Sequence, residues 1–232
     1  TLRFMDWGHT NGWGQEDPYT WQDSTFVDWG ERTEVDDYTY TGSMGVPYEM
    51  MADLINELEV DGWVCVPHRA SNNYISSMAD FFRDNVDTER HIFVEYSNEI
   101  WNWIFGQAQW LNEYACNGGT AVWPECIVPN IQNTLDLWSN SFASNMTRIS
   151  RVAPVQTGWF DVSERIVYNL TPGSFDVISP TFYFSFDSNS EAMLDALGNN
   201  ATVTDIAYHT RLGMSGSMSY INNMKTISDS LN

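Results

Sequence analysis

The chain has 232 residues, 43% hydrophobic and 15% aromatic, which is enough for one sizeable core and excludes a disordered tail. Thirty-one acidic residues against ten basic ones give a formal charge of -21, and Lys225 is the only lysine, so nucleic acid is excluded as a partner and anionic membranes or sulfated polymers are disfavoured. No run of about 18 apolar residues occurs, which excludes a transmembrane helix, and no membrane insertion is expected.

Short apolar runs alternate with longer amphipathic stretches, the pattern of βα units on a parallel sheet. In chain order, LRFMDW (2–7), GWVCVPH (62–68), HIFVEYS (91–97), APVQTGW (153–159) and FDVISPTFYF (175–184) read as strands. The helical segments are roughly 47–59, 73–86, 103–115, 130–150, 161–169, 190–198 and 216–231. In the first of these, Pro47 suits an opening turn and Met50, Met51, Leu54, Ile55 and Leu58 follow at helical spacing. Residues 8–45 lack a sustained period of either kind and read as one long cleft-shaping loop. Its acidic run from Glu31 to Asp37 does not have the spacing of an EF-hand and reads as a solvated loop. No linker divides the chain, so 1–232 is expected to be a single domain.

Cys116 and Cys126 bracket CNGGTAVWPEC, whose glycines and proline favour a local disulfide, whereas Cys65 lies in an apolar strand and should be a buried free thiol. No Cys/His spacing fits zinc, and neither a metal nor another cofactor is expected. Sequons at Asn145, Asn169 and Asn200, together with the disulfide, point to a secreted, extracellular glycoprotein whose signal peptide would lie upstream of Thr1.

The sharpest local signal is VEYSNEIWNW (94–103), a β-rich run that ends at Asn98-Glu99 and is followed by aromatics. Carboxylates that do chemistry in a parallel barrel sit where strands end. Flanking Tyr96, Trp101 and Trp103 would desolvate Glu99, favouring its protonated form, and Asn98 could bond a sugar hydroxyl next to the reacting carbon.

With these residues the chain resembles the clan of retaining (β/α)8 glycoside hydrolases, which carry an Asn-Glu pair at the end of the fourth strand. The five runs then correspond to about strands 2–6 of an α/β TIM barrel, partial in this chain and expected to belong to a longer one. The resemblance implies Glu99 as acid/base and Asn98, Arg3, Trp7, His68 and Tyr183 as substrate-site positions, with Trp101 a further candidate for stacking on sugar rings. Trp13, Trp21 and Trp29 are weaker candidates for the same role. His68 and Arg3 read equally well as a strand-end hydrogen-bonding residue and as an internal partner of a carboxylate. His9, His91 and His209 have no partner pattern.

A retaining mechanism needs a second carboxyl group about 5–5.5 Å from the first. The clan's seventh-strand glutamate has no counterpart before Asn232, and a straight strand would hold the α-carbons of Glu95 and Glu99 about 13 Å apart. Asp6, Asp187 and Glu191 read as loop carboxylates near strand ends, and Asp161 as a helix N-cap. Two expectations follow: an extracellular hydrolase of neutral poly- or oligosaccharides whose nucleophile lies beyond Asn232, or a non-catalytic module with a structural or carbohydrate-binding role in an extracellular assembly. An open cleft beside the long loop favours the first, and a large interface over that loop the second.

Overall fold

Five parallel strands in the order β1-β2-β3-β4-β5 form a sheet curled into a half-barrel, with helices in the connections. This computed structural model describes residues 1–11, 25–42, 44–181 and 186–231. The strands are β1 (Leu2–Arg3), β2 (Gly62–Val66), β3 (Ile92–Tyr96), β4 (Ile149–Gln156) and β5 (Val177–Thr181). The helices are α1 (Tyr48–Glu57), α2 (Asn72–Asn85), α3 (Gly106–Tyr114), α4 (Val128–Phe142), α5 (Phe160–Asn169), α6 (Ser188–Leu197) and α7 (Val203–Ser230). The α/β class and the parallel order agree with the expectation from the sequence.

Side chains alternate across the sheet. Val64, Val66, Ile92 and Val94 pack outward beneath α1 and α2, joined by Trp138 and Phe142 from the end of α4. A second cluster places Tyr96, Ala153 and Val155 under Leu111, Ile131, Leu135 and Ile166. Each such fully buried aliphatic side chain contributes about 1.5–3 kcal/mol. The opposite, concave face carries Trp63 stacked on Phe93, with Cys65 and Glu95 one step along their strands.

Several element boundaries differ from expectation. β1 is two residues long because the chain turns at once, with Trp7 N–H donating to the Phe4 carbonyl at 3.2 Å and His9 N–H to that of Asp6 at 3.0 Å. β4 begins at Ile149, four residues before the expected start, and α4 stops at Phe142 because residues 143–148 form a 3-10 turn. Arg148 anchors that turn by donating to the carbonyls of Arg83, Val86 and Asp87. α7 starts at a capping box between Thr202 and Asp205. Asp161 lies inside the first turn of α5, where it pairs with Arg165, and the cap is Trp159. Asp187 does cap a helix, its carboxylate accepting from Ser190 N–H at 2.8 Å.

The acidic run is exposed at Glu31, Glu34, Asp36 and Asp37, as expected, while other parts of the described loop are tied down. Trp29 stacks on Tyr48 at 5.6 Å under the Arg32 guanidinium, and Arg32 pairs with Glu34 and Glu49. Gly45 closes the loop at φ +75°, and a Cβ there would lie 2.2 Å from the Trp7 carbonyl oxygen. Gly45→Ala therefore meets fixed backbone as well as a left-handed conformation, and urea unfolding should show a loss of about 3 kcal/mol.

Candidate functional site

The site is assembled where β3 ends. Ser97 N–H still bonds the Val66 carbonyl at 2.7 Å, but Ser97 has φ +56° and Glu99 φ +40°, so the strand breaks into a tight bend over three residues. Non-glycine residues in this region cost of order 1 kcal/mol each and concentrate where geometry is held for chemistry. The bend turns the half-buried Glu99 away from the line of β3, so the straight-strand spacing from Glu95 no longer applies. Asn102 closes the turn, its N–H donating to the Glu99 carbonyl at 2.8 Å and its amide to Glu99 Oε2 at 2.9 Å.

Beneath Glu99 lies a buried polar network. Arg3 Nη2 donates to Glu95 Oε2 at 2.8 Å and to Asn98 Oδ1 at 3.1 Å, while the guanidinium sits over the Trp63 ring. Trp63 Nε1 donates to the same Glu95 oxygen at 3.0 Å. Burial is the largest influence on Glu95 and holds its carboxyl above the usual range; Arg3 and the indole pull it down, and the charge of Glu99 pushes it up. Asn98 is 2% exposed, and its Nδ2 donates to Asn11 Oδ1 at 2.9 Å. Gln107 Nε2 binds both the Asn98 carbonyl and Asn11 Oδ1, at 2.6 and 2.8 Å. Asn98 thus joins β1, the 11-region turn and α3, and both ends of its amide are engaged by protein. Arg3 pairs with a carboxylate, one of its two expected roles, while its own side chain stays 37% exposed.

Glu99 faces a cavity of about 450 Å³ lined also by Asn102, Trp103, Gln156 and Trp159. Trp103, Trp123 and Trp159 form a tilted row with neighbouring ring centroids 5.2 Å apart, and Trp103 and Trp159 are 39% and 41% exposed. Two devices fix this row. The Cys116–Cys126 disulfide closes the segment that holds Trp123, and Arg165 of α5 donates to the Trp123 carbonyl while pairing with Glu125. Trp159 is the residue on which α5 begins.

The structure redistributes the expected aromatic roles. Trp101 is 4% exposed and embedded in the second core cluster, yet it also lines the Glu99 cavity, to which it offers little free area. Trp7 is 42% exposed, edge-on to Phe4 on the turn after β1. Trp29 belongs to the packing of the loop. Tyr183, Trp13 and Trp21 lie outside the described residues.

His68 is separated from Glu99. It follows the outward-facing Val64 and Val66, is 1% exposed, lines a different cavity, and meets Trp110 of α3 edge-on at 5.4 Å. Burial, aided by the Arg69 charge, pushes its pKa down to about 3. His91 bonds Ser150 and His209 bonds Ser190. Cys65 is a buried free thiol, as expected. Asn169 and Asn200 are exposed, and Asn145 is half-buried in the 3-10 turn.

Asn102, Gln156, Trp123 and Trp159 were not singled out from sequence, and Trp103 was read only as a flank that desolvates Glu99. The signals for them were the place of Asn102 within VEYSNEIWNW and the position of Gln156 and Trp159 at the end of the fourth strand-like run. Comparison of the chain with protein-family models, characterised proteins and solved structures finds no match.

Proposed function

We propose that the chain carries the acid/base side of an extracellular retaining glycoside hydrolase built on a (β/α)8 barrel and acting on a neutral poly- or oligosaccharide. The observation that supports this most is Glu99, held by a strained bend at the C-terminal end of a parallel strand, beside a cavity bordered by exposed indoles. Glu99 protonates the leaving glycosidic oxygen and then activates water, while tryptophan faces carry the apolar faces of the sugar rings. The formal charge of -21 suits an uncharged polymer. The disulfide fits an oxidising, extracellular location, and among the described residues no helix is long and apolar enough to cross a membrane.

A second reading is favoured by one observation. Among the described lining residues of this cavity, Glu99 is the only carboxylate, which suits a carbohydrate-binding module in an extracellular assembly that uses the indole row without a nucleophile. Both readings require the row to bind sugar. Titration of tryptophan fluorescence with neutral oligosaccharides should show saturable binding that Trp159→Ala and Trp103→Ala each weaken about tenfold, or about 1.4 kcal/mol. Unchanged affinity in both variants would remove the indole row from either reading.

A further inference from the structure

A second cavity, of about 310 Å³, opens on the helix side of the sheet, lined by Phe26, His68, Tyr96, Asn130, Asn133 and Thr134 among others. It shares no described lining residue with the Glu99 cavity. Several of its side chains are almost completely buried, among them His68 at 1% and Thr134 at 0%. Both ring nitrogens of His68 and the Thr134 hydroxyl have no hydrogen-bond partner among the described residues. Leaving a buried polar group unpaired costs about 1–3 kcal/mol, so three such atoms at one cavity call for an occupant that satisfies them.

The chemistry of the lining limits that occupant. No Asp, Glu, Lys or Arg is among its described lining residues, although the chain as a whole is strongly acidic. The histidine is neutral, with one ring N–H to donate and one ring nitrogen to accept. The Thr134 hydroxyl offers both functions as well, and the Asn130 and Asn133 carboxamides, partly engaged by Tyr96 and by Asn72, keep further donors and acceptors. Such a mixed set matches hydroxyl groups, which donate and accept at one atom, and it offers no counter-ion to a charged ligand. Phe26, 57% exposed and edge-on to Trp110, adds an apolar face.

We propose that this cavity is a second binding site, for one small uncharged polyhydroxyl ligand about the size of a single sugar ring. It stands independently of the chemistry assigned to Glu99.

The chain has four histidines, so its imidazole nitrogens can be followed individually by long-range proton–nitrogen NMR on the intact protein. Titration with glycerol and with methyl β-glucopyranoside should move the His68 ring resonances saturably and leave those of His9, His91 and His209 in place. Thr134→Val removes only the unpaired hydroxyl, and Asn133→Ala changes an exposed residue, so both variants keep the fold. Each should weaken the response about five- to tenfold, and Thr134→Val should melt no lower than the parent protein in sugar-free buffer. Absence of a saturable His68 shift, an equal shift at all four histidines, or unchanged affinity in both variants would mean that water alone fills the cavity, and would overturn the proposal.

Discussion

Glu99→Gln should lower kcat on a neutral glycoside by about 10²–10⁴-fold, the range for removing a positioned general acid/base. Glutamine keeps the volume of the side chain and can still accept the Asn102 amide bond at Oε1, so the bend at Ser97–Glu99 and the melting temperature should be retained. The loss should depend on the leaving group. Under the proposed mechanism, with the second carboxylate supplied by the longer chain, an aryl glycoside whose phenolate departs without protonation should form its glycosyl-enzyme nearly as fast as with the parent protein and then stall, because the role proposed for Glu99 includes activating water. Azide, which needs no base, should restore the second step. Turnover unchanged by Glu99→Gln would displace Glu99 from the chemistry. Saturable binding without any turnover by the parent protein would favour the binding-module reading.

What the sequence disclosed follows the range over which its signals act. β2 and β3 were legible because a buried parallel strand reads as a continuous apolar run, and GWVCV and IFVEY are such runs. The run LRFMDW looked the same yet gives only a two-residue strand, because its length is set by where the chain turns toward Trp7, a tertiary matter. The early start of β4 was hidden by Ser150 and Arg151, a concave-face hydroxyl bonded to His91 and a guanidinium engaged by Asp176. The first half of α7 was hidden by Gly213, Ser215 and Gly216, although the Thr202/Asp205 capping box was readable. The placement of Glu99 at a strand end was local and could be read. The indole row joins Trp103, Trp123 and Trp159 from three segments, and nothing in the chain order announces that they meet. The outward side of His68 was readable in principle: it shares parity with Val64 and Val66, whereas Cys65 and Trp63 face the concave side with Glu95.

Acid should find the weak point of the fold at His68. Its pKa is held at about 3, against 6.5 for an unrestrained imidazole, by burial first and by the Arg69 charge second. Between these values the unfolded chain binds a proton that the folded chain refuses, so stability is lost as pH falls. The full difference is about 4–5 kcal/mol, reached only near pH 3, and about 2–3 kcal/mol is already lost at pH 4.5. Other groups act in the same range. Arg165 beside Glu125, Arg151 beside Asp176 and the Thr202 cap on Asp205 hold these carboxyls low, which adds to the loss on acidification, whereas the raised carboxyl of Glu95 opposes it. A comparison with His68→Gln isolates the imidazole, because glutamine keeps a donor and an acceptor in the cavity but cannot take up the proton. Urea unfolding at pH 7 and pH 4.5 should show the parent protein losing about 2–3 kcal/mol more than the variant between the two conditions. Equal losses would mean that His68 accepts its proton in the folded state, with Trp110 and Arg69 shifting to let water reach the ring.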